Sequence, residues 1–259
     1  MVLSVKVTLL MRIFFIILLL IYSNSLFSKE INLHFEIDWK SAHLADLFWD
    51  ISIDQNQYKI KYLIKSYGIT DQIFNYESLT LVEGYIDKNH LRPKSYKSKT
   101  KSTRQDVYTN ILFNENGTIN KFDISKDVSE DQIELQNQLL DKFLYFTDPV
   151  SQLTQYFLYN NNSDRLIIDG LNIYKLTKGD VSSIDLKDKN PTIYSGQAKK
   201  LILTFPLFEG LHKIDKKNNL HEIHMIFTDL GDLFLPVQYN IFSKKFNAKL
   251  YLKQYDITN

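Results

Sequence analysis

The chain has 259 residues, with 31 Lys and Arg, 30 Asp and Glu, and no cysteine. A chain without cysteine has no disulfide framework, thiol nucleophile, iron–sulfur cluster or Cys-ligated zinc. The net charge of +1 argues against a strongly basic nucleic-acid-binding protein. An apolar fraction of 44% exceeds that of disordered chains, so we expect a packed core.

The first predicted element is an export signal over residues 1–28. Lys6 and Arg12 precede an apolar run over residues 13–22, and small polar residues follow at 23–25. A positive start, a short apolar centre and a small-residue exit are typical of a secretory signal peptide. Its removal would take away two bases and no acid, which changes the net charge to −1.

An uncleaved anchor in the inner membrane is the alternative interpretation of this segment. Its apolar run has about 10 residues, whereas a helix needs about 20 to span a bilayer. We therefore favour cleavage and predict a periplasmic protein with no transmembrane span. The mature part, residues 29–259, is predicted to form a single domain.

Most of the mature chain is predicted to be antiparallel β-structure. In residues 58–65, Tyr and Ile residues alternate with three lysines and Leu63, as in a strand that has one buried face. Similar alternation occurs over residues 223–227 and 246–252. The pattern predicts one curved antiparallel sheet, or incomplete β-barrel, of about ten strands.

Two dipeptides predict hairpin turns. Asn116-Gly117 and Asp169-Gly170 each separate two apolar runs. Such dipeptides favour two-residue turns in which both positions have positive φ.

The most polar stretch, over residues 89–104, contains four lysines and ends at Arg104. We interpret it as a solvated edge strand with its loop, because lysines commonly protect sheet edges from pairing. Contact with an anion or a phospholipid headgroup is the sharper alternative.

One helical region interrupts the strands. Ser129, with Gln132 three residues later, forms a capping-box pattern before an apolar stripe, which predicts a helix over 130–145. Asp148 before Pro149 is typical of an N-cap followed by the first helical residue. A second helix is predicted over 149–160, and we expect both helices to pack against the sheet.

The chain resembles an exported bacterial family, the domain of unknown function 3108 (DUF3108). The resemblance rests on five blocks in the same order as in the family: Asp148-Pro149-Val150-Ser151, Asp169-Gly170, Tyr194-Ser195-Gly196-Gln197-Ala198, Pro206 with Gly210, and Pro236. Family members often have a cysteine after the third block and an arginine after the last, where this chain has Leu201 nearby and Gln238. The resemblance implies export and a mostly β domain, and it implies no activity. We expect these motif positions to be structural.

No residue is predicted to be catalytic, to bind a cofactor or to ligate a metal. His221 and His224 have metal-like spacing, but positions three apart on a strand point to opposite faces. No nucleophile-elbow motif or Gly-rich phosphate loop occurs, and Ser195 before Gly196 is better explained by a turn.

These observations favour a non-enzymatic periplasmic binding or carrier module for an apolar ligand or envelope lipid. The abundant aromatics, 17 Phe and 16 Tyr, would either fill a core or line a cavity. A structural component of the envelope that binds another envelope protein is the alternative. An envelope hydrolase is the least supported interpretation, and no nucleic-acid partner is expected.

Overall fold

The computed structural model describes residues 28–104, 106–125, 145–159, 165–170, 172–187, 191–210, 220–243 and 247–258, with Glu134, Gln138 and Leu140. The described residues contain fourteen strands in a single sheet. The strands are β1 (Ser28–Trp39), β2 (Ala42–Asp54), β3 (Gln57–Ser66), β4 (Glu77–Asp87), β5 (His90–Lys101), β6 (Asp106–Phe113), β7 (Ile119–Ile124), β8 (Phe146–Thr147), β9 (Leu166–Ile168), β10 (Asn172–Leu186), β11 (Gly196–Gly210), β12 (Leu220–Leu230), β13 (Leu233–Ser243) and β14 (Asn247–Thr258). The predicted export signal lies outside the described residues, apart from Ser28.

The sheet consists of two meanders joined through the first and last strands. The strand order is β7-β6-β5-β4-β3-β2-β1-β14-β13-β12-β11-β10-β9-β8, and β1 pairs antiparallel with β14. The one parallel pair among the described strands joins β8 to β9. The prediction of a mainly β fold is confirmed, but the number of about ten strands is wrong. Strands β8 and β9 have only two and three residues, too few to show an alternating pattern.

The two ends of the sheet lie close to each other, so the sheet is nearly closed and barrel-like. The backbone N–H of Phe146, on β8, donates to the carbonyl of Gly117 in the β6–β7 turn at 2.9 Å. A Cβ atom on Gly170, after β9, would lie 2.5 Å from Cγ2 of Thr109 on β6. This contact leaves room only for glycine at position 170.

Both predicted hairpin turns are present, but their backbone differs from the expected one. Gly117 and Gly170 have φ of +86° and +101°, whereas Asn116 and Asp169 are not among the residues with positive φ. At the second turn, the side chain of Asp169 takes part directly, because its Oδ1 accepts the N–H of Asn172 at 2.8 Å. An Asx-type contact therefore replaces the second left-handed residue.

The lysine-rich segment is not an edge strand. It forms β5, which pairs with β4 along its length and with β6 from Ser95 to Lys101. Side chains alternate across it: Tyr96 is 5% exposed, whereas Lys97 and Lys99 face solvent. The lysines give β5 one solvent-exposed face, and their alternation does not indicate whether the strand lies at the edge or in the interior of the sheet.

The structure describes two helices from their first to their last residue. They are α1 (Gly68–Phe74), between β3 and β4, and α2 (Pro149–Tyr159), between β8 and β9. Helix α2 confirms the prediction over 149–160 within one residue. Of the helix predicted over 130–145, the structure describes Glu134, Gln138 and Leu140, which are helical, and Tyr145, which is not; the other positions lie outside the described residues. Helix α1 was not predicted, because seven residues are too few to show a helical stripe.

Helix α2 lies inside the curved sheet. It contacts β13 on one half of the sheet and β5 and β3 on the other. Eight of its eleven residues are buried, and the ring of Phe157 packs 6.4 Å from that of Trp49 on β2. The core is one contiguous apolar cluster that includes this helix and both halves of the sheet. A helix buried on all sides is typical of a structure wrapped around it.

Candidate ligand-binding site

A cavity of about 750 Å³ opens at the end of the sheet where α2 ends. Its walls come from the beginning of β1, the β2–β3, β4–β5 and β12–β13 turns, and the last two residues of α2. The lining residues are Ser28, Lys29, Ile53, Gln55, Asn89, Leu158, Tyr159, Asp232, Leu233 and Phe234. Three hairpin ends, the beginning of β1 and a helix end therefore converge on one space.

The cavity has an apolar interior and a polar rim. Leu158 and Leu233 are 4% and 6% exposed and form its inner surface. Asp232 is exposed and Lys29 is partly buried, so each brings a charged group to the mouth. Apolar walls with a few polar groups at the opening are typical of small-molecule sites, which occupy about 300–1,000 Å³.

The side chain of Gln155 holds the β4–β5 turn, which forms part of the cavity wall. Its Nε2 donates to the carbonyl of Asn89 at 2.6 Å, and its Oε1 accepts the N–H of Leu91 at 2.6 Å. One amide thus satisfies two backbone groups of the β4–β5 hairpin. Because Asn89 also lines the cavity, these bonds set the position of the hairpin relative to α2.

A second depression of about 480 Å³ adjoins the first across the β12–β13 turn. The two share Lys29, Asp232 and Leu233, and the second continues along β14 to Tyr255 and Ile257. A ligand longer than the first cavity could follow this path over the rim.

A buried polar cluster lies at the opposite end of α2. Asp148 is 0% exposed and caps the helix, since its Oδ1 accepts the N–H groups of Val150 at 3.0 Å and Ser151 at 2.8 Å. Burial raises the pKa of Asp148 to about 6, against the lowering effect of hydrogen bonds from Ser151 and Val150. The hydroxyls of Ser151 and Tyr58 are hydrogen-bonded at 2.8 Å.

Tyrosines surround this cluster and do not ionise at neutral pH. Burial, and next the charge of Asp148, raise the pKa of Tyr58 well above its ordinary value. Burial likewise raises the pKa of Tyr96 and of Tyr174, with the charge of Asp169 as the second cause in each. The cluster is closed to solvent and joins α2 to β3, so it connects the helix to the wall.

The first motif positions of the sequence take up structural places around α2. Asp148 is its N-cap, Pro149 its first residue, and Ser151 binds the wall through Tyr58. Asp169 and Gly170 form the β9–β10 turn that meets β6. None of these five residues is among those that line the cavity.

The later motif positions lie on or beside the strands of the C-terminal half. The Tyr194 hydroxyl donates to the carbonyl of Gln197 at 2.6 Å, next to Gly196, whose φ is +116°. Ala198 is 5% exposed on β11. The remaining positions are Pro206 and Gly210 on β11 and Pro236 opposite Phe227 at a register shift between β12 and β13.

The cavity residues were missed by the sequence interpretation. They come from hairpin ends far apart in sequence, such as Ile53, Asn89 and Phe234, and no spacing links them. Among the described residues no group of three or more His, Asp or Glu could hold a metal ion. Nε2 of His224 is hydrogen-bonded to Oε1 of Glu222 at 2.9 Å, and the side chain of His221 is not among those that the structure describes.

None of the helices in the described part of the chain combines the length and the apolar character that crossing a bilayer requires.

Comparison with known proteins gives a family and a structure of low similarity. Residues 34–155 match the model of a family described as protein of unknown function DUF3108. A crystal structure of a beta-barrel-like protein of domain of unknown function DUF1849 from Brucella abortus is similar at 10% identity, over 90% of this chain and 98% of that one, with a TM-score of 0.38. A search of curated proteins finds no match.

Proposed function

We propose that this chain, which belongs to the DUF3108 family of proteins of unknown function, is a non-enzymatic binding module for an apolar ligand. The observation that carries the proposal is the cavity of about 750 Å³ at the open end of the sheet. A hydrolase would instead require a nucleophile, a base and an orienting group within hydrogen-bond reach in one cleft. No histidine is found among the described residues that line the cavity.

The ligand class follows from the distribution of polar groups in the cavity. Ile53, Leu158 and Phe234 offer aliphatic and aromatic surface, which favours a hydrocarbon chain. Lys29 at the mouth can meet an anionic head, while Asp232 disfavours a second negative charge there. A fatty acid or a single-chain lipid with one negative charge fits this arrangement.

Titration with a fluorescent dansyl-labelled undecanoic acid tests the proposal. The expected result is a saturable fluorescence increase with one probe per chain, reversed by competition with palmitic acid. Failure to saturate, or binding that palmitic acid does not compete for, would overturn it.

The proposed setting of this activity is the periplasm, after removal of the N-terminal export signal by signal peptidase. The support is the positive, apolar and small-residue order of the N-terminal segment. Cell fractionation followed by N-terminal sequencing tests it. The expected protein is in the periplasmic fraction and begins after Ser25 or Ser28. A cytosolic chain that retains its first residues would contradict export.

A further inference from the structure

We propose that the outer face of β3–β5, together with helix α1, is a docking surface for anionic lipid bilayers. This inference is independent of the cavity, which opens at the other end of the sheet. It joins two observations: a concentration of lysines on one face of the sheet, and a short helix beside it that exposes three large apolar side chains.

The basic face is defined by the outward side chains of β3, β4 and β5. Its six exposed lysines alternate with residues that point inward, such as Tyr58 and Tyr96. The lysines are Lys59, Lys61, Lys65, Lys97, Lys99 and Lys101. The acids on the same three strands are Glu77, Glu83 and Asp87, and Asp87 pairs with Arg92 of β5. Positive charge therefore prevails on this face in a chain whose overall charge is +1.

The lysines of β5 are available to a partner. Lys61 pairs with Asp50 at 3.6 Å, but none of the ion pairs found among the described residues involves Lys97, Lys99 or Lys101. Between the lysine rows lie Leu79 and Leu81 of β4, with Leu81 43% exposed. Lysines can extend from such a face to phosphate groups while their carbon chains cover its apolar part.

Helix α1 presents apolar side chains at the adjoining end of this face. It has no buried residue, and Ile69, Ile73 and Phe74 are 75%, 57% and 40% exposed. The N–H of Thr103, two residues after β5, donates to the carbonyl of Phe74 at 2.9 Å. The helix is thereby held beside Lys101 and is not a detached loop.

Bases also flank the apolar side chains themselves. The guanidinium of Arg104 lies 5.7 Å from the centre of the Phe74 ring. Tyr67, which precedes α1, is 54% exposed and stacks on His43 with ring centres 4.2 Å apart. Apolar side chains surrounded by bases are typical of protein segments that insert at the interface of an anionic membrane.

A lipid surface fits this face better than a nucleic acid. The most exposed apolar side chains, Ile69 and Ile73, are aliphatic and cannot stack on bases, which is how single-stranded nucleic acids are held. Inserted between lipid chains, they would lose the water contact that they have in the free protein. The lysines would remain at the depth of the headgroups.

Co-sedimentation of the full chain with lipid vesicles tests the proposal. The probes are vesicles of phosphatidylcholine alone and of phosphatidylcholine with phosphatidylglycerol. Binding is expected to require phosphatidylglycerol and to weaken with salt. The N-terminal apolar segment, by contrast, would bind both vesicle types alike. Equal binding to vesicles with and without phosphatidylglycerol would therefore overturn the proposal.

Two variants with matched controls locate the surface. Lys97→Gln/Lys99→Gln/Lys101→Gln should lower the partition coefficient on anionic vesicles at least about tenfold, since each lysine near such a surface contributes about fivefold. Its control, which removes equal charge elsewhere, is Lys88→Gln/Lys187→Gln/Lys249→Gln.

The apolar part is tested by Ile69→Ser/Ile73→Ser. A loss of at least about tenfold is expected, against little change for the control Val181→Ser/Ile193→Ser, which alters two exposed aliphatic residues on other elements. Equal losses in a variant and its control, or no loss in either, would overturn the assignment, as would preferential binding of single-stranded DNA or of an acidic protein.

Discussion

Gln155 and Asn89 are joined by a hydrogen bond of 2.6 Å that links the interior helix to the β4–β5 turn at the cavity. The same Gln155 amide accepts the N–H of Leu91. The cavity wall is therefore held by a side chain that is 2% exposed and belongs to a helix. This arrangement makes α2 a structural part of the binding site.

Replacement of Gln155 by leucine should destabilise the protein. The change leaves the Asn89 carbonyl and the Leu91 N–H without their partner, and each such buried group costs about 1–3 kcal/mol. We expect the free energy of unfolding, measured with urea, to fall by about 2–4 kcal/mol. Gln254→Leu, at an exposed position of β14, should change it little; equal effects would contradict the role of Gln155.

Asp148 should make stability depend on pH. Its pKa is about 6 in the folded protein and near 3.8 when unfolded, so between those values the folded state holds a proton that the unfolded state has lost. The contribution of this group to the free energy of unfolding should therefore fall by about 3 kcal/mol as the pH rises from 3 to 7, with about 2 kcal/mol of that loss between pH 4 and 6.

Asp148→Asn separates this ionisation from helix capping. Asparagine still accepts the two N–H groups but carries no charge, so this variant should match the wild type near pH 4 and exceed it at pH 7.5. Asp148→Ala loses the cap and should be less stable than Asp148→Asn at both pH values by about 1 kcal/mol. Identical pH dependence of wild type and Asp148→Asn in urea unfolding would refute the assignment.

Secondary structure could be predicted from the sequence where a local residue pattern is typical of one structural element only. Asp148 before Pro149 located the beginning of α2, and Gly170 located a turn. The position of a strand in the sheet could not be predicted in this way. The alternation of lysines in β5 indicates which face is exposed to solvent, whereas its pairing on both sides depends on strands β4 and β6. Short elements such as β8 carry no period at all.

The candidate site was beyond sequence reasoning for a different reason. Ile53 and Phe234 come together only because the N- and C-terminal strands pair in the middle of the sheet and bring distant hairpin ends to one opening. Aromatic content alone could not separate core from cavity. In the described structure Phe157 belongs to the core, whereas Tyr159 faces the cavity.

Gly84 should not tolerate a larger residue, although its backbone conformation is ordinary. A Cβ atom there would overlap the carbonyl of Arg92 and lie 2.6 Å from Cε1 of Tyr58. Gly84→Ala must displace the Tyr58 ring that binds α2, so we expect a loss of about 1–3 kcal/mol. Gly179→Ala, whose nearest contact would be the Ile202 carbonyl at 3.1 Å, should cost less in the same thermal or urea unfolding measurement.

Ile53→Asp should weaken ligand binding with little effect on the fold. Ile53 lies at the mouth of the cavity and is only partly buried, and a carboxylate there would repel an anionic head and remove apolar surface. We expect the Kd for dansyl-labelled undecanoic acid to rise at least about tenfold, an energetic change of about 1.4 kcal/mol. The control Val181→Asp places the same charge on an exposed position of β10. Equal affinities of the two variants would show that the probe binds elsewhere.

Photo-crosslinking with a diazirine-bearing palmitic acid, followed by peptide mapping, tests the cavity assignment most directly. Labelling is predicted on peptides containing Ile53, Leu158–Tyr159 and Leu233–Phe234, and it should disappear when unlabelled palmitic acid is in excess. Labelling confined to helix α1 and the lysine face of β5, or labelling that excess palmitic acid does not reduce, would contradict a ligand site at the open end of the sheet.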